Sequence, residues 1–101
     1  MTAPQDPEKF PPVSQDDRLR RLRMRCWRRG MKEMDMILGP YADALAAGEA
    51  RADLDALEAL MEENDQDLYL WVSGAQAAPE RHRSAIGEVR LFHGLAPSGP
   101  V

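Results

Sequence analysis

The sequence predicts an all-α fold, a small bundle of about five short helices. No stretch alternates apolar and polar residues with period two, as a half-buried strand would. Apolar residues recur instead at offsets of three, four and seven, the spacing of a single helical stripe. Glycines and prolines divide these stretches into segments joined by short loops, the arrangement of a helical bundle.

Residues 1–14 are proline-rich and polar and read as a disordered tail. The first helix starts at Ser14, a capping residue, with Asp17 three positions on in a box-like place near the positive helix end. Leu19, Leu22 and Cys26 share one face, and Gly30 is placed as a C′ stop in the left-handed conformation. The second helix covers about 31–47, with Met31, Met34, Ile37, Leu38, Tyr41 and Leu45 on its stripe. Pro40 removes one backbone donor inside it, so a kink or short break is expected there, and Gly48 ends the segment. A third helix, about 51–63, turns Leu54, Leu57, Leu60 and Met61 inward. The fourth covers about 65–73, with Asp65 as its N-cap. Its LYLWV is apolar almost all round and is expected to be well buried, and Gly74 closes it. Pro79 sits in the first turn of the last helix, which buries Ile86, Val89 and Phe92 before Gly94. The predicted domain is therefore 15–94, with a loose tail at 95–101.

The totals restrict the function. A chain of 101 residues has room for one small, marginally stable domain. With Cys26 alone, no internal disulfide can form. No apolar run reaches the ~20 residues that cross a bilayer, so no membrane insertion is expected. The first seventeen residues lack the apolar core of a signal peptide and are too acidic for an organelle transit peptide, which points to bacterial cytosol. His82 and His93 are eleven positions apart on one expected helix, roughly 16 Å at ~1.5 Å per residue, so they cannot share a metal ion. His93 reads as a partly buried helix-end residue. There is no phosphate loop, no dinucleotide fingerprint and no locally spaced triad. Some eighty ordered residues hardly enclose a substrate. No catalytic residue, no metal and no cofactor held by the chain is expected, and an enzyme acting alone is not.

Charge is unevenly placed. Eight of thirteen basic residues lie between positions 18 and 32, and eleven of seventeen acids between 33 and 67. Such asymmetry marks a binding surface. Nucleic acid would need a cationic face of this kind. The chain is acidic overall, however, with a net charge of −4 and no helix-turn-helix pattern after the arginines. A solvated face, or a surface for an acidic protein partner, fits better.

The focus is WRRGMKEMD, residues 27–35. Capping explains much of it: arginine at a helix end, glycine at C′, glutamate in the next first turn. Eight converging cations exceed that need, and Met36 points away from the Met31–Leu45 stripe, leaving an apolar side chain beside the charged corner. On residue types alone, capping and a binding surface both stand.

RRGMKEMD resembles the RGxxE signature of the succinate dehydrogenase flavinylation factors, the SdhE-type assembly factors. The later EENDQDLYLWVSG, residues 62–74, is similar to that family's second block, in which acids precede a D-L-[FY]-x-W helix, here Asp67, Leu68, Tyr69 and Trp71. The two blocks and the last helix cover about 18–94. The resemblance implies a five-helix bundle that promotes covalent attachment of FAD to the flavoprotein subunit of succinate dehydrogenase, and in some bacteria of fumarate reductase. FAD then belongs to the partner, whose own histidine bonds to the flavin. By position, the resemblance assigns partner contact to Arg29, Gly30 and Glu33, with Arg28, Met31 and Asp35 flanking. Arg29 would pair with a carboxylate or carbonyl of the flavoprotein, and Glu33 with a basic group or with Arg29. Trp71 matches the block but reads as core. The free chain is expected to be a monomer. A second reading from the same family is an antitoxin-like regulator opposing a membrane-associated growth inhibitor.

Overall fold

In the computed structural model, which describes residues 15–96, five helices follow in order: α1 (Gln15–Trp27), α2 (Lys32–Ala46), α3 (Leu54–Leu60), α4 (Asp65–Ser73) and α5 (Glu80–Phe92). No strand occurs among the described residues. The expected tail at 1–14, the Ser14 cap and the end of the C-terminal tail lie outside them.

α1 packs chiefly along α2, and α5 touches α2, α3 and α4. The core forms where the predicted stripes meet. Leu22 and Cys26 of α1 face Met34, Leu38, Tyr41 and Leu45 of α2, and Leu57, Leu60, Met61, Leu68, Trp71, Val72, Ile86 and Val89 complete the cluster. Leu19, Met31, Ile37 and Leu54 pack partly buried against it. Cys26 is fully buried with its thiol 3.7 Å from Met61 Sδ, and burial pushes the thiol up to about 11. Only a thiolate reacts with iodoacetamide at useful rates. Cys26 is therefore expected to resist alkylation at pH 8 until denaturant is added, as followed by mass spectrometry.

Several element details differ from the sequence expectation. Pro40 does not break α2, which runs unbroken through it. Gly39, one residue earlier, has the Trp27 indole on its backbone: a Cβ there would lie 2.3 Å from the ring. That close approach explains a glycine inside a helix. α3 is shorter than expected because Asp53 caps it, its side chain accepting from the Asp55 and Ala56 amides, and because the chain turns at Met61. The cap of α4 is Asn64 rather than Asp65, with its side chain accepting from Asp67 N–H at 2.9 Å. Among the described residues only one side of α4 is covered. Leu68, Trp71 and Val72 are buried, but Tyr69 and Leu70 are more than a third exposed, contrary to the expectation for LYLWV. Pro79 is the residue before α5, not in its first turn. Phe92 is likewise more than a third exposed, its ring meeting Tyr41 edge-on at 5.5 Å. Gly48, Gly74 and Gly94 close their segments at positive φ, as expected.

Three polar groups missed by pattern reading hold the far end together. Buried Arg90 donates to Val72 O, a carbonyl that the end of α4 leaves unpaired, and to Ala96 O in the segment after α5. His82 is buried beside Trp71, with Nε2 2.8 Å from Glu63 Oε2. The His82 contact, then Arg81, holds the Glu63 carboxyl below the usual range against the opposing effect of burial. A carboxyl whose folded pKa is depressed contributes stability above its unfolded value, about 4.3, and that contribution fades as pH falls further. Glu63→Gln is expected to flatten the loss of melting temperature between about pH 5 and 3, measured by circular dichroism.

Candidate functional site

The 28–36 corner is built where α1 stops and α2 begins. Arg28 N–H still reaches Arg25 O at 3.3 Å, and Met31 O accepts from Met34 and Asp35. Between these turns the chain bends, and Met31, the N-cap of α2, is extended at φ −107°, ψ 123°. Met31 offers no side-chain oxygen, so the start of α2 is held by other means. Asp35 accepts the Arg29 amide at 2.7 Å, and Asp65 Oδ2 accepts the Met31 amide at 2.9 Å.

The expectation that Gly30 is a left-handed C′ stop is not met. Positive φ among the described residues occurs only at Gly48, Gly74 and Gly94. Gly30 instead lies exposed in the linker, where an added Cβ would meet only Asp65 Oδ2, at an ordinary 3.7 Å.

Arg29 turns inward. Its Nε donates to Asp65 Oδ1 at 2.6 Å, Nη1 to Met61 O at 2.9 Å and Nη2 to Glu63 O at 2.7 Å. Both side chains of the Arg29–Asp65 pair are little exposed, 12% and 14%. Met61 and Glu63 lie at and beyond the end of α3, where helix carbonyls lack partners and the dipole favours a cation. The planar guanidinium therefore serves as a C-terminal cap for α3, tied to Asp65 at the start of α4. One carboxylate links Arg29 and the Met31 amide, so the two sequence blocks are two sides of one joint. The carboxylate and carbonyls around Arg29 come from this chain itself.

What the joint presents outward is Arg28, Gly30, Lys32, Glu33 and Met36, all exposed. Glu33 has no hydrogen bond or ion pair among the described residues, and Arg29 is oriented by Asp65 rather than by Glu33. Lys32, Glu33 and Met36 share the outer side of the first turns of α2, with Met36 59% exposed. Gly30 lies between two shallow depressions. One, of about 540 Å³, is lined by Met24, Arg28, Gly30 and Asn64 with the Arg29–Asp65 pair. The other, about 490 Å³, is lined by Gly30, Met31 and residues 64–67. Both are open, shaped for contact with a surface rather than for enclosing a small molecule. No group of three or more metal-ligating side chains occurs among the described residues. No described helix is long and apolar enough to cross a membrane.

The basic head is largely internal in purpose. Arg18 pairs with Asp55 and Glu58, Arg23 with Asp43, Arg25 with Glu62, and Arg20 with Asp17. Four of the eight cations, Arg18, Arg23, Arg25 and Arg29, are thus neutralised by the acidic middle, which accounts for half of the basic side of the asymmetry that suggested a binding surface. Sequence reasoning placed Asp65 only as a helix cap and missed its part in the joint with Arg29 and Met31. The one signal for that part was its membership of the second block.

The family model described as flavinator of succinate dehydrogenase matches residues 20–92. The chain is 35% identical over 76 residues to the FAD assembly factor SdhE of Vibrio cholerae serotype O1, and 37% identical over 76 residues to that of Aliivibrio fischeri. Each alignment covers 75% of this chain and 87% of the relative. No solved structure matches.

Proposed function

The chain belongs to the family of flavinators of succinate dehydrogenase, and on that premise we propose that it is an assembly factor promoting covalent attachment of FAD to the flavoprotein subunit. The observation that carries the site is the pinned corner. Arg29 and Asp65 fix the backbone from behind, while Gly30 and Glu33 face outward with no internal duty among the described residues. Held in this way, the corner meets a partner without first losing loop entropy.

In this reading Gly30 and Glu33 make the contact, flanked by Arg28 and by the exposed Lys32 and Met36. Arg29, Asp35 and Met31 hold them in register. Gly30 lets the partner's backbone approach closely, having no side chain above the two depressions. Glu33 pairs with a basic group beside the flavin site. FAD and the histidine that bonds to it belong to the partner, and this chain supplies no nucleophile. Its leverage is preferential affinity for the arrangement of the flavoprotein that aligns the two. Each ~1.4 kcal/mol of preference shifts that population about tenfold.

The test is direct. Apo-flavoprotein, FAD and a dicarboxylate are incubated with and without the chain, then denatured and run on a gel. Flavin fluorescence in the flavoprotein band is expected to rise faster with the chain present. Equal rates would refute the proposal. Repeating the assay with the fumarate reductase flavoprotein decides whether it is a second partner.

A further inference from the structure

Five of the eight cations between positions 18 and 32 have internal carboxylate partners. The other three, Arg21, Arg28 and Lys32, have none among the described residues, and all are exposed. Two of them are aligned. Arg21, Met24 and Arg28 follow at offsets of three and four, so they fall on one side of α1 and its first residue beyond, opposite Leu22 and Cys26. The two arginines are seven residues apart, about 10 Å along the axis. Between them Met24 is 49% exposed. The stripe is continuous with the corner, because Met24 and Arg28 line the same depression as Gly30.

We propose that this outer stripe of α1 is a second docking surface, for a carboxylate-bearing segment of the same flavoprotein partner. The inference rests on the function proposed above. Guanidinium groups select planar carboxylates, as every other arginine of α1 does within this chain. An unpaired arginine on each side of an exposed methionine leaves the same chemistry open to a partner, with Met24 as a pliable apolar anchor. Duplex nucleic acid fits less well. Its binders commonly neutralise about 6–10 phosphates, whereas this surface offers two arginines on a chain of net charge −4. The stripe gives the corner a fixed direction of approach: one contact at Gly30 and Glu33, and a second along α1.

The test is the affinity of the full chain for apo-flavoprotein by titration calorimetry. Arg21→Glu/Arg28→Glu is expected to raise Kd by about tenfold or more at low salt. The gap should narrow at about 0.5 M salt, where exposed charges are screened. Met24→Ser should raise Kd by about threefold at either salt. Arg51→Glu/Arg83→Glu reverses two exposed arginines elsewhere that also lack a carboxylate partner among the described residues, and should leave Kd unchanged. Unaltered circular dichroism confirms that each variant folds. If wild type binds and the α1 reversal binds equally well, this inference fails while the function stands. Equal loss in the Arg51/Arg83 control would show only a general charge effect and also overturns it. Retention of a duplex by wild type but not by the reversal would assign the stripe to nucleic acid. Self-association of wild type that the reversal abolishes would assign it to a second copy. Failure of wild type to bind any flavoprotein overturns both this and the proposed function.

Discussion

Asp65→Ala is expected to lower the melting temperature by on the order of 15 °C. The substitution leaves the Arg29 guanidinium little exposed and without its carboxylate, and breaking such a pair costs about 3 kcal/mol or more. In a domain of this size each kcal/mol moves the midpoint by roughly 4–8 °C. The Met31 amide loses its acceptor as well, so the start of α2 loosens. Asp65→Asn keeps one acceptor and the shape, and should lie between wild type and alanine. Arg29→Lys should behave nearly as badly as Arg29→Ala. An ammonium has no planar fork to reach Asp65, Met61 O and Glu63 O together. Thermal denaturation of the four variants checks this, and midpoints within a few degrees of wild type would dismiss the joint.

The second large effect separates bulk from fold at Gly30. Gly30→Ala should melt like wild type and retain most flavinylation activity, because its φ is not in the left-handed region and the added methyl meets only an ordinary contact. Gly30→Arg should also fold, since the residue is exposed. Its side chain, however, covers one of the two flanking depressions, and flavinylation is expected to slow by about tenfold or more. Equal activity of the two variants would show that no partner surface approaches this backbone.

The helices were legible because each carries a stripe with punctuation at its ends. Met34, Leu38, Tyr41 and Leu45 are buried where the period placed them, and α4 has the bounds read from 65–73 and Gly74. The failures have physical causes. LYLWV is apolar all round, but among the described residues α4 has neighbours on one side only, so Tyr69 and Leu70 stay outside. Composition does not say how many faces are covered. At Gly30, arginine, glycine and glutamate matched helix punctuation. That match could not reveal that Arg29 caps α3, some thirty residues later in the chain, rather than its own helix. The charge asymmetry was visible but misleading in part, because pairs such as Arg18–Glu58 and Arg25–Glu62 form only once α1 lies beside the α3 region. Met36 was read correctly as exposed near the corner, since it falls off its helix stripe. Glu33 could be singled out only through the family motif. The structure adds that nothing among the described residues engages it.

Glu33 therefore offers the most direct test of the central claim, that the outward face of the corner works on the flavoprotein. Its carboxylate makes no hydrogen bond or ion pair among the described residues, so Glu33→Ala should leave the fold and melting temperature essentially unchanged, within about 0.5 kcal/mol of wild type. The measurement is the rate of covalent flavin accumulation in the flavoprotein subunit, read by in-gel fluorescence, with wild type and Glu33→Ala at equal concentration. A variant that melts normally yet promotes flavinylation at least about tenfold more slowly places the working contact at this corner. A variant that melts normally and matches wild type would contradict the account.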